Sequence, residues 1–349
     1  MEPRMSIQGK DGDMYVTQGP NQVRSDFLDV CKAILAIMVI AIHSTLFPNI
    51  LMPWLYIAVP LYFLMSSYFF FYKKSSLKHF CARLLRLYFA WFLVLLPVII
   101  YTKREKWFDG NICHSLLCIF KGFCFEDTFP ASWFLSALLL SVCLVSILRR
   151  YLHASAIVLL SIIPFSLACL CSSWYSVFHH CAWLREINDL HEILAYPPRS
   201  FTAALIWVAL GAFVADRRVH IGKIALYCAT VCGAGLLYIE WLWAKSLNGC
   251  YSSGCYFSLP CLVVPLFLIA KDIKLSIGCA RQLRVFSVVT YCIHYSVVIT
   301  VWNIGKLFAF WDEFGMIRFC LAIVCSLIAY LIITKIEALK ICRCVQYLH

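Results

Sequence analysis

The sequence predicts an all-α protein, a polytopic membrane bundle of about ten transmembrane helices with both termini in the cytoplasm. Of its 349 residues, 62% are hydrophobic and only 14% are charged, whereas about one quarter of the residues of soluble domains are charged. Apolar stretches that approach the length of a bilayer crossing, about 20 residues, recur along the chain. The short connections between them are basic, and the basic residues collect at alternate ends of the stretches.

Apolar runs bounded by charged or turn residues place the predicted crossings. They lie near 28–46, 50–72, 82–101, 133–148, 155–172, 200–215, 222–243, 256–270, 285–303 and 316–336. The chain then divides into a cytoplasmic tail over 1–25, a transmembrane domain over 26–340 and a cytoplasmic tail over 341–349. Since the first tail has no apolar core, we expect it to be disordered and not a cleaved secretory signal.

The sidedness follows from the distribution of Lys and Arg. With the amino terminus inside, 20 of the 30 basic residues fall on the cytoplasmic side, as the positive-inside rule requires. Two long segments, 102–132 and 173–199, then face outward. The second mixes aromatic with charged residues, which suits a lid or an acceptor surface. We therefore expect a multi-pass protein of the inner cell membrane.

Neither the net charge nor the cysteines indicate a further class of partner. The charge of +12 is spread over many connections and forms no basic domain, so no nucleic-acid partner is expected. Most of the 20 Cys lie within apolar runs and are interpreted as small buried residues. Their spacing indicates no metal site. Cys250 and Cys255 in one loop, and Cys113, Cys118 and Cys124 near another, leave a disulfide open.

The first predicted crossing carries four ionisable side chains, Asp26, Asp29, Lys32 and His43. An ionisable residue inside a span is costly, and it is therefore a functional hypothesis. Eleven residues separate Lys32 from His43, about 16 Å along a helix. Lys32 is thus expected near the cytoplasmic surface and His43 deeper in the membrane. The alternatives are that Asp26 and Lys32 only extend to the interface, and that His43 is a packing residue.

Two arginines open the third predicted crossing. Arg83 and Arg86 share one face of a helix, and guanidinium groups at that spacing suit phosphate. Positive-inside anchoring fully explains Lys73, Lys74 and Lys78 before them. It explains less readily two arginines in a helix start rich in Leu, Tyr and Phe.

Weaker candidates follow along the chain. His294 lies mid-span in the ninth crossing, where it could meet the histidine of the first crossing, although a structural role is equally compatible with the sequence. Ser66, Ser67 and Tyr68 are expected to break the second crossing, because hydroxyls bond the preceding turn. Trp133 opens the fourth crossing at the outer interface, where aromatic residues also serve as a belt.

Five motifs in fixed order carry a resemblance to a known family. They are Arg24 to Asp29 followed by Lys32, ten residues and His43; Pro60-Leu61-Tyr62-Phe63-Leu64-Met65-Ser66-Ser67-Tyr68; Arg83 to Arg86; Trp133-Phe134-Leu135-Ser136-Ala137-Leu138; and Tyr291-Cys292-Ile293-His294. Over nearly all of 24–336 the chain resembles the acyltransferase 3 family of polytopic membrane acyltransferases. Two positions depart from its pattern: Ser67 stands where Gly is usual, and Lys32 where many members have Arg.

The resemblance implies an enzyme that moves an acyl group, commonly acetyl, from acyl-coenzyme A to a hydroxyl of a cell-envelope glycan or lipid-linked saccharide. Acyl-coenzyme A is then a co-substrate, no bound cofactor is expected, and the remaining partners are the acceptor and membrane lipids. The catalytic candidates are His43 and His294, the donor-binding candidates are Lys32, Arg83 and Arg86, and the supporting candidates are Asp26, Asp29, Ser66, Tyr68 and Trp133. His43 is expected to deprotonate the acceptor hydroxyl or to carry the acyl group.

Two other classes of function remain compatible with the residues. Intramembrane Lys32, His43 and His294 could form the proton relay of a transporter. The same polar residues could instead join the helices of a membrane scaffold or sensor. Coenzyme A-dependent acylation separates an acyltransferase from both.

Overall fold

The computed structural model of the protein describes 26–46, 49–107, 112–125, 127–189, 196–217, 221–247, 254–307, 315–339 and 348. Within these ranges all regular structure is helical, which confirms the all-α part of the predicted fold class. The helices are α1 Asp26–Ser44, α2 Met52–Leu55, α3 Ala58–Tyr72, α4 Leu77–Val94, α5 Leu96–Trp107, α6 Ile112–Cys124, α7 Trp133–Leu148, α8 Ala154–Leu170, α9 Tyr175–Phe178, α10 Ala182–Asp189, α11 Phe201–Arg217, α12 Lys223–Ser246, α13 Leu259–Asp272, α14 Ala280–Leu307 and α15 Gly315–Ala338. Short 3₁₀ turns cover Asn49–Leu51 and Pro197–Arg199.

Five stretches of the described chain are long and apolar enough to cross a membrane. They are Asp26–Ser44, Met52–Tyr72, Lys223–Ser246, Ala280–Gly305 and Gly315–Ala338. A sixth results if α4 and α5 together form one bent span. Other predicted crossings coincide with α7, α8, α11 and α13, which have 14 to 17 residues, fewer than the roughly 20 of a typical crossing. The multi-pass character is thereby supported, while the number of ten crossings stays a prediction.

The predicted crossing over 82–101 requires a correction, because it is not one straight helix. α4 and α5 meet at Leu95 with a bend of 72°. Pro97 lies in the first turn of α5, the part of a helix where the missing N–H is tolerated, whereas it could not continue a helix from α4 without disruption. The proline is therefore the physical reason for the break.

The predicted break at Ser66, Ser67 and Tyr68 is wrong in its position. α3 continues through all three residues to Tyr72, and the interruption lies earlier, between the end of α2 and the start of α3. The Ser67 hydroxyl donates to the carbonyl of Phe63 at 2.8 Å. This bond to the preceding turn satisfies the hydroxyl without opening the helix.

The long segments predicted to face outward contain helices. α6 lies within 102–132, and α9 and α10 lie within 173–199. Exposed apolar side chains on α6, Ile112, Leu116 and Phe120, follow one another at helical spacing on one face. The described parts of both segments thus contain regular helices.

Several expectations fall wholly or partly outside the described residues. The tail over 1–25 does, and of the tail over 341–349 only Leu348 is described. Its carbonyl accepts a hydrogen bond from Trp91 Nε1 at 3.1 Å. Cys118, Cys124 and Cys255 are free thiols, whereas Cys250 lies outside the described ranges.

Two groups of helices meet where α1 contacts α3. α11 lies at the centre of one group, with ten of its 17 residues buried, and it packs against α3, α7 and α8. α1, α14 and α15 form the second group. α1 also contacts α3, so the candidate residues of the first crossing face both the core and α14.

The contact between α3 and α11 depends on a glycine. A Cβ on Gly211 would lie 2.0 Å from the Ser67 hydroxyl oxygen and 2.9 Å from the Tyr68 nitrogen. We expect Gly211→Ala to lower the free energy of unfolding by about 1–3 kcal/mol through overpacking. The change is measurable as a lower thermal midpoint of the purified protein.

Two further variants make this test specific. Ser67→Gly combined with Gly211→Ala should recover only part of the stability, because the contact with the Tyr68 backbone remains. Gly235→Ala is the matched control, since a Cβ there meets nothing within 4 Å. Equal midpoints for Gly211→Ala and the wild type would show that the two helices are not closely packed.

The orientation of the bundle stays a prediction that epitope insertion can check. An epitope after His180, between α9 and α10, should bind antibody on intact cells or spheroplasts. An epitope after Lys274, between α13 and α14, should bind only after permeabilisation, because the basic connections are expected inside. The reverse pattern would contradict the predicted sidedness.

Candidate active site

The two predicted histidines lie in contact between α1 and α14. The ring centroids of His43 and His294 are 5.3 Å apart, and we call these two residues the histidine pair. His43 lies in the last turn of α1, and its ring is also 4.2 Å from that of Tyr295. His294 is fully buried, whereas His43 is partly exposed. The arrangement therefore places one imidazole in the core and the other where a substrate can reach it.

The hydrogen bonds of His294 identify its acceptor nitrogen. Nδ1 lies 2.7 Å from the Tyr291 carbonyl oxygen and 3.1 Å from that of Thr290. Because carbonyl oxygens only accept, Nδ1 carries the hydrogen, and in the neutral ring Nε2 holds the lone pair. Nε2 is buried and has no hydrogen-bond partner among the described residues, and the same holds for the hydroxyls of Thr290 and Ser296. Since buried polar atoms are ordinarily paired, these unpaired atoms are candidates for contact with a substrate.

A buried arginine lies beside the histidine pair. Arg318, on α15, is 5% exposed. Its Nη2 donates to the Thr45 hydroxyl at 2.7 Å, and its Nε and Nη2 donate to the Ser44 carbonyl at 3.4 and 3.3 Å. The charge of Arg199 also acts on His43. Under the predicted sidedness both arginines belong to the outward-facing charges. The position of Arg318 inside a predicted span was a signal that could have identified it.

Aromatic residues from the other motifs pack next to the histidine pair. The Phe134 ring is 4.3 Å from that of Phe63 and 5.0 Å from that of Tyr291. The Tyr291 hydroxyl donates to the Ala131 carbonyl at 2.6 Å, which ties α14 to the start of α7. Trp133 contributes to a small apolar cavity of about 70 Å³ at the His43 end of the bundle. The motifs around Pro60, Trp133 and Tyr291 are therefore neighbours in space.

The opposite end of α1 carries a charged group that we call the Lys32 cluster, formed by Lys32, Asp29, Arg284 and Arg83. Lys32 Nζ lies 3.4 Å from Asp29 Oδ1, and Arg284 Nε lies 3.9 Å from Asp29 Oδ2. The charges of Arg284 and Arg83 act on Lys32. Lys32 and Arg284 therefore share the buried carboxylate of Asp29, and together with Arg83 they leave a positive excess at this end of the helix. Arg284 was not among the predicted site residues.

A basic cleft of about 580 Å³ continues from this cluster. Its lining residues are Ser75, Ser76, Lys78, His79, Phe80, Ala82, Arg83 and Arg86. His79, Arg83 and Arg86 follow one another on one face of α4, and their side chains are exposed. The lining contains basic and hydroxyl groups and no carboxylate among the described residues. Such a cleft is suited to an anion with several oxygens.

Three supporting candidates lie away from the histidine pair. Asp26 Oδ2 accepts a hydrogen bond from the Ile277 backbone N–H at 3.0 Å, which is a contact between α1 and the connection to α14. Tyr68 packs against Tyr72 and Phe267, with ring centroids 5.3 and 5.1 Å apart. Within the described part of the chain, Ser66 makes no hydrogen bond to either the histidine pair or the Lys32 cluster.

The chain is similar to known proteins over most of its length. A family model described as an acyltransferase domain matches residues 25–335. A protein of Enterococcus faecalis named amino-acid racemase is 22% identical over 326 residues, which cover 87% of this chain and 45% of that protein. The chain thus spans less than half the length of this curated relative. No solved structure gives a significant match.

Proposed function

Because the chain belongs to the acyltransferase 3 family, we propose that it transfers an acyl group, commonly acetyl, from acyl-coenzyme A to a hydroxyl of a cell-envelope glycan or lipid-linked saccharide. The observation that carries the proposal is the histidine pair, in which His294 Nε2 is a buried acceptor without a protein partner among the described residues. The proposed location is the inner cell membrane, with about ten crossings and cytoplasmic termini.

Two separated groups of side chains support a donor that is polyanionic at one end and reactive at the other. The Lys32 cluster and the basic cleft would hold the phosphates, with Arg83 shared between them. Lys32 and His43 are separated by about 16 Å along α1. Coenzyme A has this character, because a flexible arm separates its phosphates from its thioester. The donor would thus enter from the Lys32 end and the acceptor from the His43 end.

The proposed reaction needs one base and one leaving group. His43 takes the proton of the acceptor hydroxyl while the hydroxyl oxygen attacks the thioester carbonyl carbon. A carbon–oxygen bond forms, the carbon–sulfur bond breaks, and coenzyme A leaves as a thiolate that takes the proton from the imidazolium. The lone pair of His294 Nε2 provides a second acceptor in contact with the same ring, which can hold the protonated form of His43 in place.

The alternative for His43 is that of a transient acyl carrier. Its ring nitrogen would attack the thioester carbonyl, release the thiolate, and later pass the acyl group to the hydroxyl oxygen. The two routes differ in whether coenzyme A is released before an acceptor binds. A burst of one coenzyme A per protein without acceptor indicates the carrier, whereas release that requires acceptor indicates the base.

Acylation by the purified protein is the direct test of the proposed function. Proteoliposomes receive isotope-labelled acetyl-coenzyme A, and envelope glycans and lipid-linked saccharides are examined by mass spectrometry. The expected result is labelled ester on a saccharide hydroxyl, dependent on the protein. A transporter or a scaffold would yield no such ester. If no labelled ester forms with either acceptor class at several acyl chain lengths, the proposal is rejected.

The role of the basic cleft leads to a separate prediction. Arg83→Lys with Arg86→Lys keeps the charge but removes the forked donors that match phosphate oxygens. We expect the donor KM to rise about tenfold, which corresponds to roughly 1.4 kcal/mol, with kcat changed much less. Arg217→Lys, on an exposed arginine at the end of α11, is the control. An unchanged donor KM in the double variant would exclude phosphate binding by these arginines.

A further inference from the structure

Resting on the proposed acyl transfer, we propose that Arg318 is a positioning residue that holds the end of α1, and with it His43, in the geometry needed for reaction. His43 is followed directly by Ser44 and Thr45, and both accept hydrogen bonds from the Arg318 guanidinium group. The arginine therefore acts on the backbone next to the histidine. It is not required to contact the substrate.

The end of α1 is a place where such an anchor is needed. The last carbonyls of a helix have no partner inside the helix, and the Ser44 carbonyl is one of them. Thr45 has φ +53°, a left-handed conformation that ends the helix one residue after Ser44. Arg318 supplies donors to this carbonyl and to the Thr45 hydroxyl. His43 thus stands in a last turn whose Ser44 carbonyl accepts hydrogen bonds both from the Thr45 hydroxyl and from a side chain of another helix.

The close approach of α15 to α1 and a contact with Trp302 together fix the position of the guanidinium group. A Cβ on Gly315 would lie 2.6 Å from the carbonyl oxygens of both Ser44 and Thr45, so the start of α15 lies directly against the end of α1. Arg318 follows Gly315 by about one helical turn. Its guanidinium carbon lies 4.4 Å from the ring centroid of Trp302 on α14, a distance at which a cation and an aromatic face attract. One residue therefore links α1, α14 and α15 beside the histidine pair.

The cost of placing an arginine there favours a role in the reaction. A guanidinium group within a membrane span is unfavourable by several kcal/mol in isolation, and an apolar side chain would pack the same helices at lower cost. A displacement of about 1 Å in a reacting group can reduce the rate about 100-fold. Holding His43 to that tolerance is a benefit that an apolar residue would not provide.

The test compares turnover, donor binding and stability in matched variants. Arg318→Gln removes the charge and most of the donors, Thr45→Ala removes one acceptor, and Arg281→Gln is the control, because that arginine is exposed near the other end of α14. We expect kcat to fall about 10- to 100-fold in Arg318→Gln and about threefold or more in Thr45→Ala. The donor KM should stay within about twofold in both, because the Lys32 cluster is roughly 16 Å away. Arg318→Lys should restore part of kcat.

A second readout separates this inference from the proposed function. The rate at which diethyl pyrocarbonate modifies His43, followed by mass spectrometry, is expected to change in Arg318→Gln and to stay constant in Arg281→Gln. Wild-type protein that transfers no acyl group would reject the proposed function alone, and the modification rate would still test the positioning role. Three results in Arg318→Gln would overturn the inference. They are a kcat within twofold of wild type, a fall in kcat matched by an equal rise in the donor KM, and an unchanged rate of His43 modification. If Arg318→Gln does not fold, wild-type kcat in Thr45→Ala overturns it.

Discussion

His43→Gln is expected to lower kcat for acyl transfer by about 10²- to 10⁴-fold, the range that loss of a general base typically costs. Gln is a fair neutral mimic of the shape of the imidazole, but it cannot take a proton from the acceptor hydroxyl or carry an acyl group. His43 is only partly buried at the end of α1, so the replacement should leave the helix packing intact. The donor KM is expected to stay within about twofold, since the phosphates would be held roughly 16 Å away.

The measurement requires purified, folded protein and a control histidine. His153→Gln is suitable, because His153 is exposed at the start of α8 and lies in a different group of helices. Donor binding measured in parallel separates a loss of chemistry from a loss of assembly. Near-normal turnover in His43→Gln would transfer the role to His294 or remove the histidine pair from the mechanism.

The positions of the long helices could be predicted from the sequence because the bilayer imposes a simple rule. A run of about 20 apolar residues has few alternatives to a helix. α1 was predicted over 28–46 and lies at Asp26–Ser44, and α15 was predicted over 316–336 and lies at Gly315–Ala338. The errors are a few residues at the ends. There, charged and polar residues can extend a helix beyond its apolar part.

Interruptions within apolar runs were predicted less well, because hydropathy does not report backbone geometry. Pro97 indicates the 72° bend that precedes it. Hydropathy alone, however, does not distinguish a run broken at a proline from a continuous helix. The expected break at Ser67 followed from hydroxyl chemistry, but the serine bonds the carbonyls of its own helix and faces Gly211 across the contact with α11. The glycine that accommodates this serine lies on another helix, and single-sequence patterns do not reveal such partners.

In the candidate site too, some residues could be predicted from the sequence and others only from tertiary packing. His43 and His294 were selected because an imidazole inside a span stands out in the sequence, and the structure places the two rings in contact. Arg284 stands near the end of an apolar run, where positive charge is expected for topology alone, and Arg318 lies in the first turn of a predicted crossing. Only the packing of α14 and α15 against α1 shows that they reach Asp29 and the residues after His43. Their relevance arises from tertiary contacts.

Replacement of His294 is expected to lower kcat about as much as replacement of His43, and the variant His294→Asn distinguishes a structural role of the ring from a role in proton transfer. In His294→Asn the amide nitrogen can take the place of Nδ1 and keep the bond to the Tyr291 carbonyl, but the acceptor at Nε2 is lost. If the ring only fixes the backbone of α14, this variant should turn over nearly normally. If Nε2 supports proton transfer, kcat should fall by about 10²-fold or more. The kcat of the double variant His43→Gln with His294→Asn should then be only slightly below that of the less active single variant, because groups that act as one unit lose their effect together. Losses that multiply in the double variant would instead assign the two histidines to independent steps.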